Sequence, residues 1–270
     1  MRRGDYRIED EPVITVAEEI QHIVDWIKHY FIRNGADSKA IIGISGGKDS
    51  TIAAALCVNA LGADRVIGIL MPQGIQADIK DARKVCEFLG IQSYEINIDN
   101  TCAELYQALD KGINDGAKTT VVINRAITTN LPARIRMTTL YAIAADVGGR
   151  VCNTCNRSEN YVGYSTKYGD HAGDFSPLGN YTVRELLAIG DALGLPHDLV
   201  HKTPADGMCG SSDEANLGFT YKELDDYLLE DIVPKYETLK LIEQAHARNT
   251  HKMINIPTCN PLNRHGRYAF

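Results

Sequence analysis

Residues 43–51 read Gly-Ile-Ser-Gly-Gly-Lys-Asp-Ser-Thr, where a short β-branched run gives way to a helical apolar pattern. Glycines there allow positive φ and a close backbone approach to a ligand, and the following helix N-terminus offers unpaired N–H groups and a positive dipole end. That combination suits phosphate. It is not a Walker A loop, which needs glycine where Ile42 stands and Ser or Thr after Lys48, where Asp49 stands. Lys48 fills the variable position of the loop, within reach of a phosphate or of water. Asp49 follows one predicted strand and Glu159 lies five residues beyond another, so both can reach the crevice at the carboxyl ends of a parallel sheet. Two carboxylates converging on a triphosphate suit Mg²⁺, a hard ion that bridges phosphate oxygens. Taken alone, Glu159 equally fits an acid at a helix N-terminus, and Asp170 and Asp174, in a Gly-rich stretch, fit Asx turns. Arg134 and Arg136 are two positions apart on a helical pattern, so only one of them faces any one site.

The elements that must position these residues alternate in type. Val16, Ile20, Ile23, Val24, Ile27 and Phe31 recur at helical spacing behind a Thr15/Glu18 capping box, predicting a helix over 15–34 closed by Gly35. Residues 40–45 are too few for a helix and read as a buried parallel strand. A helix over 49–61, a strand over 65–71, a helix over 76–89, a strand over 91–98 and a helix over 101–111 follow, a pattern of βαβ crossovers. Pro132 is expected to break the next helical region, leaving a long helix over 133–147, ended by Gly148-Gly149, and a short strand over 150–154. Helices return at 182–193 and, behind a Thr220/Glu223 box, at 219–229. Residues 204–216 show no periodicity and read as a mobile loop over a site. Neither a repeat nor a linker interrupts the chain, so a single domain over 1–270 is expected.

The composition excludes several classes of protein. With 270 residues, 44% of them apolar, the chain can bury a sizeable core, which excludes disorder, collagen and a small disulfide scaffold. Twenty-eight Lys+Arg against 35 Asp+Glu leave a net charge of −7, which argues against a broad surface for nucleic acid or anionic membrane. No apolar run approaches the ~18 residues of a spanning helix, and residues 1–11 lack the apolar core of a secretory signal. Seven scattered cysteines read as reduced thiols of a cytoplasmic protein. Cys152 and Cys155 have no second pair at zinc spacing, and Cys209 lacks the strand and helix that frame a nucleophile elbow.

Residues 45–50 resemble the pyrophosphate loop of the N-type ATP pyrophosphatases, a superfamily that includes NAD synthetase, GMP synthetase, asparagine synthetase and tRNA-modifying enzymes. Further segments narrow the resemblance. Residues 133–137 with Tyr141, 153–159, 163–170, Gly173-Asp174, Pro177-Leu178, Ser212-Asp-Glu214, Leu217-Gly218 and His251-Lys252 are similar, in this order, to ammonia-dependent NAD synthetase, over nearly the whole chain. The resemblance implies a doubly wound, mostly parallel α/β fold of the adenine nucleotide alpha hydrolase type, with helices on both faces. It implies ATP as co-substrate, Mg²⁺, deamido-NAD and ammonia as partners, and a homodimer with the dinucleotide site at the subunit interface. Carried over residue by residue, it gives ATP to Gly43, Ile44, Ser45, Gly46, Gly47, Lys48, Asp49, Ser50 and Thr154, and the metal to Asp49 and Glu159. Deamido-NAD falls to Arg136, Lys167, Asp174, His251 and Lys252. Asp49, Lys167 and Asp170 become the catalytic set, with Asp170 near ammonia, where a carboxylate can hold ammonium and accept its proton. AMP and pyrophosphate are the implied products.

The chain departs from that pattern in two places. A family lysine on ATP falls at Val183, beside Arg184, and a Thr or Ser contact falls at or near Pro204, beside Thr203, so the neighbours are the expected substitutes. With no room for a glutaminase domain, free ammonia is the expected nitrogen source. Amidation of the mononucleotide instead of the dinucleotide, and tRNA modification by base adenylation, are the alternative readings.

Overall fold

The computed structural model describes residues 14–76, 78–116, 125–202 and 212–258. The first predicted helix forms as α1 (Val16–Asn34), with the Thr15 side chain accepting from the Glu18 N–H and the Glu18 carboxylate returning to Thr15. Four strands, β1 (Ala40–Gly43), β2 (Val66–Leu70), β3 (Gln92–Glu95) and β4 (Arg150–Val151), alternate with α2 (Lys48–Leu61), α3 (Ile79–Leu89), α4 (Asp99–Gly116) and α5 (Arg125–Val147). A set of C-terminal helices follows: α6 (Arg157–Val162), α7 (Val183–Ala192), α8 (His197–Val200), α9 (Asp213–Leu217), α10 (Tyr221–Glu230) and α11 (Tyr236–Asn249).

The sheet is parallel throughout, in the order β3-β2-β1-β4, as the alternation of elements predicts. Its pleat sorts the core. Ala40 and Ile42 point to one face and pack with Ile27, Phe31, Ile52, Leu56 and Leu186, whereas Ile41 points to the other, with Ile67, Ile69, Ala144 and Val151. Helices therefore cover both faces, and β1 is buried on each of them, consistent with its unbroken apolar sequence. Removing Ile41 or Ile42 to Ala would cost roughly 2–5 kcal/mol. By contrast β3 is an exposed edge strand, closed off by a two-bonded ion pair between Arg83 and Glu95. A third cluster, built from Val162, Val183, Phe219, Tyr221, Leu224 and Ile242, joins α6, α7, α10 and α11.

Two sequence expectations fail. Pro132 does not break its helix, because α5 runs from Arg125 through it. A proline there leaves the Thr128 carbonyl without its helical donor, and the Tyr106 hydroxyl of α4 supplies a replacement at 3.0 Å. Residues 213–216, expected within a mobile loop, belong instead to α9, with the Ser212 hydroxyl accepting from the Ala215 N–H. The rest of that expected loop, residues 204–211, lies outside the described residues, as do Thr203, Pro204 and Cys209.

Candidate active site

β1 and β4 are neighbours in the sheet although two strands separate them in the chain, and the connections that leave them diverge. Open α/β sheets hold ligands at such a switch point, outside the carboxyl ends of the strands. A cavity of about 340 Å³ lies there, floored by residues 43–45 and 47–50 at the end of β1 and by Cys152, Thr154, Cys155 and Glu159 after β4.

The loop after β1 is shaped by its own hydroxyls. Ser45 Oγ accepts from the Gly47 N–H at 3.2 Å, and the Ser50 hydroxyl donates to the Gly47 carbonyl. Gly46 has φ of +79°, and a Cβ there would stand 2.7 Å from the Ala82 nitrogen, so this turn against α3 requires glycine. The N-cap of α2 is Gly47, which provides no side-chain cap, leaving first-turn N–H groups for a ligand.

Acids converge beside the loop. Asp49 Oδ1 accepts from Asn156 Nδ2 at 3.3 Å, and its Oδ2 accepts from Lys48 Nζ at 2.8 Å. Asn156 is also the N-cap of α6: its Oδ1 accepts from the Glu159 N–H at 2.9 Å, while Glu159 Oε2 accepts from the Asn156 N–H at 3.0 Å. Burial, followed by the Asp49 carboxylate, pushes Glu159 up to about 8. Asp213, at the first turn of α9, is buried and adds a third negative group to the field around Glu159 and Lys48. The buried Tyr221 hydroxyl, in the field of the same acids, has no hydrogen-bond partner among the described residues.

The opposite wall belongs to α5 and the end of β2. Ala133, Met137, Leu140 and Met71 give it an apolar surface, and Arg136 crosses it with Nε donating to the Met71 carbonyl at 3.1 Å. Arg134, on the other side of α5, is exposed. Asp170 closes this end; burial raises its carboxyl above the usual range, and Oδ1 accepts from the Thr166 N–H at 2.8 Å. Lys202 enters from a third side, bonded to Asp81 at 2.7 Å.

The structure thus brings Gly43, Ile44, Ser45, Gly47, Lys48, Asp49, Ser50, Thr154, Glu159, Arg136 and Asp170 to one cavity. Gly46 shapes the loop from outside the cavity wall. Lys167, Asp174, His251 and Lys252 also lie off that wall. Asp174 is exposed, accepting from the Val151 N–H and the Tyr141 hydroxyl, and burial together with Asp174 pushes Tyr141 up to about 12. Lys167 donates to the His251 carbonyl, and Lys252 donates to the carbonyls of Gly163 and Ser165. Arg184 is no substitute for the missing lysine, because it pairs with Asp226 and Glu230, and Val183 is buried in the third cluster. Lys48 is buried from bulk solvent, 5% exposed and paired with Asp49, although it lines the cavity. The thiols of Cys152 and Cys155 are buried and donate to the carbonyls of Asn153 and Asp170, and burial raises both well above the usual thiol range.

Sequence reading missed Asn156 as the link between Asp49 and α6, Lys202, and the inward-facing Tyr221. The first stood in view as a capping box, Asn156 to Glu159. Among the described residues, three cations and five carboxyl groups line the cavity, the latter being Asp49, Asp78, Glu159, Asp170 and Asp213. The pair Asp49 and Glu159, two carboxylate oxygen donors lining one cavity close enough for Asp49 to raise the proton affinity of Glu159, fits Mg²⁺.

Comparison with known proteins agrees with this geometry. Residues 19–267 match the family model described as NAD synthase. The NH(3)-dependent NAD(+) synthetase of Thermococcus sibiricus is 40% identical over 245 residues, covering 90% of this chain and 89% of that one. Among solved structures, the NMN synthetase of Francisella tularensis superposes with a TM-score of 0.82 at 32% identity, over 92% of this chain and 99% of the other. The NH3-dependent NAD synthetase of Campylobacter jejuni gives 0.71 at 25% identity, over 92% and 100%.

Proposed function

The chain belongs to the NAD synthase family, and from that premise we propose that it amidates deamido-NAD with ammonia at the expense of ATP. The observation that carries the reading is the uncapped α2 N-terminus beside Asp49 and Glu159 at the switch point of the sheet. Such a loop stabilises a leaving pyrophosphate. The nicotinate carboxylate of the acceptor attacks the α-phosphorus of ATP, forming an acyl adenylate as pyrophosphate departs. Ammonia then attacks the acyl carbon, AMP leaves, and nitrogen sheds a proton.

Backbone N–H groups of the loop and Ser45, with Thr154 opposite, hold the nucleotide in this reading. Asp49 and Glu159 hold Mg²⁺, which when bound supplies positive charge to the phosphate oxygens. Asp170 accepts the proton at its carboxylate, for which its raised affinity for protons suits it. Arg136 faces the acceptor from α5, while Lys167, Asp174, His251 and Lys252 form an acceptor surface outside the cavity, where a second copy of the chain completes it as a homodimer. The five described cysteines that are free are all buried, in keeping with reduced thiols in the cytoplasm. Among the described residues no helix is long and apolar enough to cross a membrane.

A second reading, amidation of the mononucleotide, has the Francisella structure in its favour. One assay separates the two: the protein with ATP, Mg²⁺, ammonium and either deamido-NAD or its mononucleotide, with products identified by mass. The expected result is NAD, AMP and pyrophosphate from the dinucleotide. Faster amide formation from the mononucleotide would transfer the assignment to it, and ADP, or no amide from either, would refute both.

A further inference from the structure

Lys48 is an unlikely residue for its position on physical grounds. It is the first residue of α2, where the helix dipole disfavours a cation, and its side chain is 5% exposed, although burying an ammonium is costly. The carboxylates hold it there. Nζ donates to Asp49 Oδ2 at 2.8 Å, lies in the field of Glu159 and Asp213, and sits 5.7 Å from the ring centroid of Tyr221. Its other two N–H donors meet no acceptor in the protein among the described residues. The ammonium thus stands on an oxygen that the proposed function assigns to a divalent ion, and it lines the cavity that would take the triphosphate.

We propose that Lys48 is a tethered counter-ion that keeps the carboxylates from taking a divalent metal until nucleotide arrives, so that metal enters together with the triphosphate. This rests on the reading of Asp49 and Glu159 as metal ligands. A divalent ion on Asp49 and an ammonium on the same oxygen repel each other, so one displaces the other. When the triphosphate enters, its oxygens offer the ammonium acceptors for the two unspent donors, and Lys48 moves from Asp49 to phosphate. Metal and nucleotide are thereby coupled: each makes room for the other.

The test is Mn²⁺ binding, followed by the electron paramagnetic resonance of the free ion, with folding of each variant checked by thermal melting. Without nucleotide, Lys48→Met is expected to bind Mn²⁺ at least ~10-fold more tightly than the wild type, since a neighbouring positive charge has gone. Lys48→Gln, which keeps a donor to Asp49 and loses only the charge, serves the same purpose should the Met variant not fold. Lys48→Arg restores the exclusion, and Asp49→Asn added to Lys48→Met abolishes the gain. Equal Mn²⁺ affinity in the wild type and in the neutral variants would overturn the gate alone. In a separate arm, the wild type is titrated in the presence of a non-hydrolysable ATP analogue. If Asp49→Asn leaves that binding unchanged, the metal assignment fails and the gate with it.

Discussion

Glu159 serves two ends with one carboxyl group: Oε2 caps α6, and the charge faces Asp49 across the cavity floor. Its proton affinity in the folded chain, about 8 against an ordinary 4.5, fixes a pH dependence. Because the folded state holds the proton more tightly than the unfolded one, the contribution is fully present below about 4.5 and is lost as pH rises through about 8. Glu159→Gln retains a capping side chain and removes the titration. The variant is therefore expected to gain on the wild type by roughly 1–4 kcal/mol between pH 5 and 8.5, read from urea unfolding without metal or nucleotide. Parallel stability curves for the two proteins would contradict this. At this scale the sequence was legible where a residue's type states its chemistry, as for Asp49 and the loop glycines. It was opaque for Lys48, since a lysine in a variable position reads as solvated, and of the groups gathered around it only Asp49 is a chain neighbour, while Glu159, Asp213 and Tyr221 come from more than a hundred residues away.

The elements tell a similar story at longer range. Periodic helices and β-branched strands were readable because their signals are local: Thr15 with Glu18, Thr220 with Glu223, and the run after Lys39. The continuation of α5 through Pro132 was not, since the group that satisfies Thr128 comes from another helix, 22 residues away. Short helices such as α6 and α9 offer too few residues to show a period, and their caps carry the only signal. Tyr106→Phe removes the hydroxyl's hydrogen bond to the Thr128 carbonyl and is expected to destabilise the protein by about 1 kcal/mol, with the first half of α5 losing amide protection in hydrogen exchange. If exchange there is unaltered, the account of Pro132 is mistaken.

For the molecule as a whole, the cavity is at the small end for a nucleotide pocket, and the surface that carries Lys167, Asp174 and His251 lies outside it. The homodimer that the family resemblance implies would complete that surface, and sedimentation equilibrium is expected to return twice the 29.7 kDa chain mass. A fully active species at the mass of one chain would argue against it. One more consequence concerns the order in which the molecule is made. The helix that carries Glu159 is held from behind by residues much later in the chain. Ser158 donates to Asp225 at 2.6 Å, Asn249 donates to the Val162 carbonyl at 2.9 Å, and Lys252 binds the carbonyls of Gly163 and Ser165. All four strands and the phosphate loop have been made once β4 ends at Val151, well before these supports. The contacts that back α6 are complete only once Lys252 has been made, so a nascent chain holds the strands of the site before it holds all the supports of the site.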